Sequence, residues 1–274
     1  MPTGGTHTLQ ERYSSLVLAK LRKTQVFRNL FNTRYEGTPT AGAVKIPVRD
    51  TEVVVGDYNI GTGGTLNKGA TTYETLNIDK DKYVNELIDG YEAAAVPDNL
   101  VADRLDSAGY AMGIQFDSDL VAALEAGGTA KSETALTAET IYGDIVDKVQ
   151  SLKKLGLSAD EMWLAVTNET YGLLLKSPEF IKASALGDSV VQNGMVGRIA
   201  GVNVYETNNI STADVEYILG NRIYCHFVDE WMVQVAVNDL KDGAHIGASA
   251  LQGRRVYGIK ISKATTVIVK KKSE

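Results

Sequence analysis

The sequence predicts a mixed α+β fold. One long stretch has apolar residues every three or four positions, the spacing of an amphipathic helix: Val101, Leu105, Ala108, Met112, Phe116, Leu120 and Leu124. The C-terminal third instead contains short runs of β-branched and aromatic residues, which favour strands. No segment recurs at a fixed period, so neither a solenoid nor a propeller is expected.

The composition describes an ordinary folded protein and excludes several classes. Hydrophobic residues make up 44% and charged residues 23% of the 274-residue chain, close to the average of soluble globular proteins. The formal net charge of -6 disfavours a broad cationic surface for a phosphate backbone. The single cysteine, Cys225, excludes an intramolecular disulfide and a multi-thiolate metal site. Since neither a secretion signal nor a membrane-length apolar run is present, we expect no export and no insertion.

The N-terminal residues 1–42 lack a core pattern of their own. From Gln10 to Asn32 the apolar side chains fit a helix only loosely and lie among basic ones. Such a segment is typical of an arm that docks on a partner, and equally of a terminal helix that packs on its own domain.

Residues 43–80 predict a long hairpin. Apolar residues alternate from Val44 to Val48, as in a strand, and a second strand begins at Thr71. The polar, glycine-dense stretch 59–70 between them has the composition of a turn. Because an isolated two-stranded hairpin is only marginally stable, we expect this one to lie on another surface, such as a neighbouring subunit.

Two amphipathic helices follow. The first is predicted from Asn99 to Ala126, a length of about 40 Å, with glycines as its stop signal. The second is predicted from Ala138 to Leu155 behind a Thr137 cap. Its inward positions are Ile141, Ile145, Val149 and Leu152.

The rest of the chain predicts strands with a short helical region between them. MWLAVT, from Met162, has the composition of a strand, and Asn168 can cap a helix through Leu175, with another helix opened by Ser177 and Pro178. Further strands are predicted at VNVYE from Val202, VEYILG from Val215, RIYCHFV from Arg222, MVQVAV from Met232, and the C-terminal RRVYGIKIS and ATTVIVKK.

The sequence predicts no catalytic, cofactor or metal site. The stretch GTGGTLNKGATT fails as a phosphate loop because Ala70 and Thr71 stand where such a loop needs Lys and Ser/Thr. Cys225 and His226 point to opposite faces if RIYCHFV is a strand, so they cannot form a catalytic dyad. We expect Cys225 to be a small buried apolar residue.

Paired acids and C-terminal lysines are interpreted as surface groups. Asp117 and Asp119 are two residues apart on a helix and do not face each other, while Asp79 and Asp81 alternate with lysines. Both pairs are therefore expected in solvent. The one concentrated basic feature either faces nucleic acid or solubilises the chain end: Lys263, Lys270, Lys271 and Lys272.

The order of these segments resembles the major capsid proteins of tailed bacteriophages. The likeness is carried by the basic arm, the polar-tipped hairpin, the helix-strand-helix region and the run LNIDKDKYVNELIDGYEAAAVPDNLVADRLDSAGYAMG before and within the long helix. NGMVGRIAGVNVYETNNI and RRVYGIKISKATTVIV are similar to strand passages of that family. The resemblance implies the α+β capsid fold, with these parts: an N-arm (1–42), an extended hairpin loop (43–80), a peripheral domain with a spine helix (81–134), an axial domain (135–240) and return strands of the peripheral domain (241–274).

The resemblance also implies a structural function without catalysis. Subunits of this family form hexamers and pentamers of an icosahedral shell around double-stranded DNA, in a virion assembled in the host bacterial cytoplasm. The expected partners are other copies of the chain, scaffold, portal and decoration proteins, and DNA through weak non-specific contacts, with no cofactor and no membrane. The residues expected at subunit contacts are Arg22, Arg28, Phe31, Arg34, Asp57, Tyr58, Asn59, Ile60, Leu66, Asn67 and Lys68.

Two other functions are compatible with the sequence. An encapsulin-type bacterial nanocompartment shares the fold and the chain length but encloses cargo enzymes, and the arm and polar hairpin favour the phage alternative. A carboxylate-dependent hydrolase is the alternative from another class, because a catalytic site need not leave a local motif. A pocket lined by acids with shifted pKa values would be its sign.

Overall fold

The described part of the chain contains three sheets and three helices. The computed structural model describes residues 22–33, 42–48, 52–69, 71–90, 100–179, 197–241 and 244–273. Its helices are α1 (Leu100–Gly127), α2 (Ile141–Lys154) and α3 (Asn168–Leu175). Its strands are β1 (Ala43–Val48), β2 (Thr72–Asn77), β3 (Lys80–Asp89), β4 (Thr129–Glu133), β5 (Met162–Thr167), β6 (Arg198–Ile199), β7 (Val202–Thr207), β8 (Val215–Asn221), β9 (Cys225–Asp239), β10 (Ala248–Ile261) and β11 (Ile268–Lys272). The predicted α+β class is confirmed.

Helix α1 confirms the long helix to within one residue at its C-terminal end. Its C-terminal half is the buried part, where Phe116, Leu120 and Leu124 are almost fully enclosed. Leu105 was expected to face inward, but it is 37% exposed, whereas Val101 and Ala108 contact the apolar cluster of the sheet beneath the helix. Val121 joins the core instead. No helix within the described ranges combines the length and the apolar character needed to cross a membrane.

Helix α1 packs on an antiparallel three-stranded sheet of order β3-β10-β9. Ile88, Ala108 and Leu251 form the buried contact between the sheet and the helix. The predicted strands RIYCHFV and MVQVAV are one strand, β9, of fifteen residues, preceded by a 3-10 turn at Arg222–Tyr224. The polar Asp229 and Glu230 between the two apolar runs stay in the strand because they pair with β10.

The second sheet has six strands in the order β4-β11-β8-β5-β7-β6. Helix α2 packs on it, and its four predicted inward residues are all buried, as expected: Ile141, Ile145, Val149 and Leu152. The strand at Met162–Thr167 and the helix after it are also confirmed. The cap of α3 is Thr167 rather than Asn168, because the Thr167 hydroxyl accepts a hydrogen bond from the Thr170 amide at 3.3 Å. The helix predicted at Ser177 and Pro178 lies mostly outside the described residues.

The sheets do not divide the chain at the predicted domain boundaries. β4 falls in the predicted peripheral segment 81–134 and β11 in 241–274, yet both belong to the six-stranded sheet. β9 falls in the predicted axial segment 135–240, yet it belongs to the three-stranded sheet. Strands distant in sequence thus complete each sheet, and the domain boundaries stay predictions. The lobe names remain predictions.

The hairpin has a short paired base and a long loop. β1 and β2 pair antiparallel over six residues, from Ala43 opposite Asn77 to Val48 opposite Thr72. Ile46 and Leu76 bury the base against Val228 of β9. A Cβ atom at Gly258 of β10 would lie only 2.2 Å from the Asn77 carbonyl oxygen, so glycine permits this close approach.

A central cluster joins the N-terminal segment, helix α1 and both large sheets. The Phe27 ring meets Trp163 edge-on with centroids 6.0 Å apart, and Phe31 lies 6.2 Å from Phe227. Phe116 in turn contacts Phe227 at 5.2 Å. At residues 27–31 the chain therefore packs on its own subunit, the second of the two alternatives for the N-terminal segment.

The C-terminal basic cluster is not a continuous surface patch. Lys270 is only 1% exposed, and its Nζ lies 3.2 Å from both Glu133 Oε2 and the Thr134 carbonyl oxygen. A buried lysine of this kind is retained because it is paired. The expectation that Lys270 faces solvent or nucleic acid is wrong, whereas Lys263 and Lys272 are exposed.

Candidate assembly surfaces

The loop between β1 and β2 carries six of the fifteen large apolar side chains that are exposed in the described chain. Residues 52–69 are exposed throughout. Its large apolar side chains are almost free of intramolecular contact: Val53 (87% exposed), Val54 (67%), Val55 (93%), Tyr58 (75%), Ile60 (92%) and Leu66 (101%). Soluble monomers rarely expose contiguous apolar surface of this kind, so the loop has the character of an interaction surface.

The tip of this loop is shaped by a local turn. The Asn59 carbonyl accepts a hydrogen bond from the Gly63 amide at 2.8 Å, and its side-chain Oδ1 accepts one from the Gly61 amide at 2.8 Å. Gly63 has a φ of 72°, which a glycine adopts without strain. The turn therefore presents Tyr58 and Ile60 outward without a core beneath them.

The predicted contact residues of the loop all lie on this exposed surface. Asp57, Tyr58, Asn59 and Ile60 precede or form the turn, and the rest follow it: Leu66, Asn67 and Lys68. The structure thus brings seven of the eleven expected contact residues into one exposed loop. Whether they touch a neighbouring subunit stays a prediction.

The predicted contact residues of the N-terminal segment are distributed differently. Arg22 forms an ion pair with Asp106 of α1, and the Arg28 guanidinium lies 3.8 Å from Asp229. Phe31 is fully buried in the subunit's own core, so we remove it from the expected contact surface. Arg34 lies outside the described residues.

Sequence reasoning missed that Asp117 is a buried, hydrogen-bonded carboxylate. It is only 1% exposed and accepts hydrogen bonds from the Phe27 amide at 2.9 Å and the Val26 amide at 3.4 Å. Asn209, in the loop after β7, donates at 2.5 Å to Asp117 Oδ2, the oxygen that also accepts from the Val26 amide. Burial raises the pKa of the Asp117 carboxyl, and these hydrogen bonds pull the pKa partly back. The expected solvated position of Asp117 is wrong, because α1 buries this side against the N-terminal segment.

The other acids of the predicted pairs have ordinary structural partners. Asp119 accepts a hydrogen bond from the Tyr257 hydroxyl. Asp81 pairs with Arg254 on the surface, and this hydrogen bond lowers the pKa of the Asp81 carboxyl. Asp79 is exposed, as expected. The two pairs do not converge on a common site.

A second exposed apolar surface lies on the three-stranded sheet. Tyr83 (74% exposed) and Leu87 (53%) project from β3, and Val233 (44%) projects from β9. Tyr83 and Val233 both pair with Arg254 of the central strand, so they share one face. A shallow depression of about 260 Å³ lies between Tyr83 and Val233. The face opposite helix α1 is therefore open and partly apolar.

Cys225 and His226, the two adjacent groups considered for catalysis in the sequence, have little exposed surface. Cys225 is fully buried, and burial raises the pKa of its thiol far above the ordinary range. Burial lowers the pKa of His226 to about 4. Among the residues of the described ranges, no three His, Cys, Asp or Glu side chains are grouped to hold a metal ion.

Solved structures from several phages share this architecture. The chain matches a structure of Mycobacterium phage Che8 with a TM-score of 0.82 at 22% identity, covering 97% of this chain and 98% of the other. It matches the capsid structure of the cyanophage P-SCSP1u with a TM-score of 0.82 at 16% identity, covering 97% and 93%. The mature capsid of bacteriophage PhiM1 gives a TM-score of 0.71 at 17% identity, again over 97% and 93%. The fold is that of a phage capsid subunit.

The sequence profile of the phage capsid proteins matches residues 73–269, more than half of the chain, and the chain belongs to this family. Its function is structural, as a major capsid protein of the virion. The resemblance deduced from the sequence is confirmed, and the encapsulin alternative is not favoured. No curated protein matches the chain.

Proposed function

We propose that the chain forms hexamers and pentamers that close an icosahedral shell around double-stranded DNA, and that the loop 52–69 reaches a neighbouring subunit. One observation carries this proposal. Six large apolar side chains of the loop are at least 67% exposed, far more than a stable monomer needs. Contact with a neighbouring subunit removes this apolar surface from water, which favours assembly.

The open face of the three-stranded sheet is the proposed receiving surface. It offers Tyr83, Leu87 and Val233 on the side that α1 leaves free. A loop that leaves one copy and a patch that receives a loop from another make a heterologous contact, which generates closed rings when the rotation closes. Every copy then buries both of its exposed apolar surfaces.

The proposed contact with DNA is weak and local. The net charge of -6 opposes a continuous cationic lining. Lys270 is withdrawn into an ion pair with Glu133, which leaves fewer free cations near the C-terminal strand. The shell thus encloses its genome without holding the phosphate backbone tightly.

We propose that the chain has no catalytic activity of its own. The buried Cys225 thiol supports this, because a fully enclosed, protonated thiol is not placed to attack a substrate. Scaffold, portal and decoration proteins are the further partners expected, and the host cytoplasm is the expected place of assembly.

Electron microscopy and sedimentation of the purified full chain test the assembly proposal. The expected result is rings or closed shells of uniform diameter, with DNA as the content of particles isolated from infected cells. A chain that stays monomeric at high concentration, with and without a co-expressed scaffold protein, would contradict the proposal. Particles filled with a single cargo enzyme would instead favour a nanocompartment.

A further inference from the structure

Residues 22–27 run along helix α1 on a seam of mostly polar contacts. Arg22 pairs with Asp106, and the Lys23 amide donates to the Tyr110 hydroxyl at 2.6 Å. The Gln25 side chain then lies on Gly113, and the Phe27 amide donates to Asp117 at 2.9 Å. The helix positions 106, 110, 113 and 117 form one stripe, because residues three or four apart share a face.

The two partners of this seam match in length. Eleven residues of helix, from Asp106 to Asp117, rise about 16 Å at 1.5 Å per residue. The five residue steps from Arg22 to Phe27 can span up to about 16 Å at 3.3 Å per residue. The segment therefore follows the helix contact by contact, in the same direction as the helix.

Burial changes abruptly at Phe27. Residues 22–25 are exposed and Val26 is half-buried, whereas Phe27 is fully buried with Leu30 and Phe31. Before Phe27, the segment is held by an exposed ion pair and by hydrogen bonds that water can replace. From Phe27 on, it is held by aromatic packing, which water cannot replace.

The Asn209 side chain joins three parts of the chain. Its amide nitrogen donates to Asp117 at 2.5 Å and to the Thr24 carbonyl oxygen at 2.9 Å. The Lys23 Nζ also reaches this loop, at 2.9 Å from the Asn208 carbonyl oxygen. Asn209 Oδ1 is buried without a hydrogen-bond partner among the described residues. A buried acceptor left unpaired weakens this docked arrangement and favours any arrangement that hydrates it.

We propose that residues 22–26 are a detachable strap, and that Asp117 and Asn209 are the positioning residues that hold it on helix α1. The subunit then has two positions for its N-terminal segment on one unchanged core, with Phe27 as the pivot. Release and ordering of one segment on an unchanged core is an established form of conformational switch. The strap belongs to the single subunit, so its test does not depend on the proposed assembly.

Amide hydrogen exchange on the full-length wild-type chain is the first test. The Lys23 and Phe27 amides report the strap and its pivot, and the Asn32 amide, which donates to the Cys225 carbonyl at 2.8 Å, reports the anchored part. We expect the Lys23 amide to exchange at least about tenfold faster than the Asn32 amide, through a local opening. Equal exchange at the two amides, with the same dependence on denaturant, would overturn the proposal.

The Asn209→Ala variant is the second test, with Asp117→Asn as an alternative should the first fail to fold. Both remove a strap contact, and we expect exchange at Lys23 and Phe27 to accelerate by about tenfold while Asn32 changes by less than about twofold. Trypsin should also cut faster after Lys23. Asn203→Ala is the matched control, because that amide contacts only the exposed Arg198 among the partners described.

The outcomes separate a positioning role from a merely structural one. Faster exchange confined to the strap supports the proposal. Faster exchange at Asn32 and along α1 by the same factor means that Asp117 and Asn209 stabilise the whole core, and this contradicts it. No change at Lys23 in either variant contradicts it as well.

Discussion

Deleting the tip of the hairpin loop should separate subunit folding from shell assembly. The change removes residues 57–70 and joins the flanking chain with a two-residue turn. It leaves intact the paired base, where Ile46 and Leu76 are buried. Since the tip side chains contact solvent rather than the core, the deletion removes almost no buried apolar area.

The deletion should change the free energy of subunit folding much less than the free energy of shell assembly. For the subunit, the expected change in the free energy of unfolding is below about 1 kcal/mol, which corresponds to a melting shift of no more than about 2 to 4 °C. For assembly, the deletion removes Tyr58, Ile60 and Leu66, at 75%, 92% and 101% exposure in the isolated subunit. Each large apolar side chain contributes about 1.5 to 3 kcal/mol when fully buried, so the loss is up to about 5 to 9 kcal/mol per contact. Because about 1.4 kcal/mol is a factor of ten in affinity, assembly should be abolished first.

Thermal melting and sedimentation of the same preparation measure both quantities. A second variant keeps the loop length and replaces Tyr58, Ile60 and Leu66 by serine, with Thr65→Ala as the matched polar control in the same loop. Both apolar-depleted variants should melt like the wild type and fail to form particles. A variant that forms normal particles would refute the role of the tip in assembly, and one that unfolds outright would show that the loop belongs to the subunit core.

Three further predictions concern the subunit core. Since burial holds the pKa of His226 at about 4 in the folded state, against an ordinary value of about 6.5, protonation favours the unfolded chain, and stability is lost as the pH falls through this window. Between pH 7 and pH 4, the free energy of unfolding of the wild type, measured in urea, should fall by up to about 3 kcal/mol more than that of the His226→Gln variant. A stability difference between the two proteins that does not change with pH would exclude this explanation. Gly258→Ala should destabilise the subunit by about 1 to 3 kcal/mol, because the new Cβ would lie 2.2 Å from the Asn77 carbonyl oxygen. The control Gly143→Ala adds a Cβ in open space and should be neutral or stabilising. Similar destabilisation by both substitutions would contradict the steric argument. Thr167→Ala should cost about 1 kcal/mol by removing the cap of α3, and Thr167→Ser should restore most of it in the same urea assay.

The local pattern of the sequence predicts the helices well and their surroundings poorly. Helix α2 has its four apolar positions on one side, and that periodicity alone identifies what it buries. Leu105 of α1 also fits the apolar periodicity, yet it is exposed while its neighbours Val101 and Ala108 contact the sheet, so periodicity alone does not identify every buried position. Similarly, the polar pair Asp229 and Glu230 suggested a break in β9, but pairing with β10 overrides local composition.

Asp117 and Lys270 are buried beside partners that are distant in the sequence, and local sequence patterns do not identify such partners. Asp117 accepts hydrogen bonds from a segment 90 residues away in the sequence, so no local motif predicts its burial. One available signal was its place on α1, four residues before the buried Val121 and seven before the buried Leu124, which puts it on the inward arc. Lys270 resembled a solubilising residue because its partner Glu133 is 137 residues earlier in the chain.

The position of β11 has a consequence for biosynthesis. This strand is the last of the described strands in the sequence, yet it lies inside the six-stranded sheet, between β4 and β8. Until residue 272 has left the ribosome, β4 has no partner in that sheet and β8 lacks one of its two neighbours. A chain that ends before β11 therefore cannot complete the sheet, and the subunit reaches its folded conformation only after this strand has been translated.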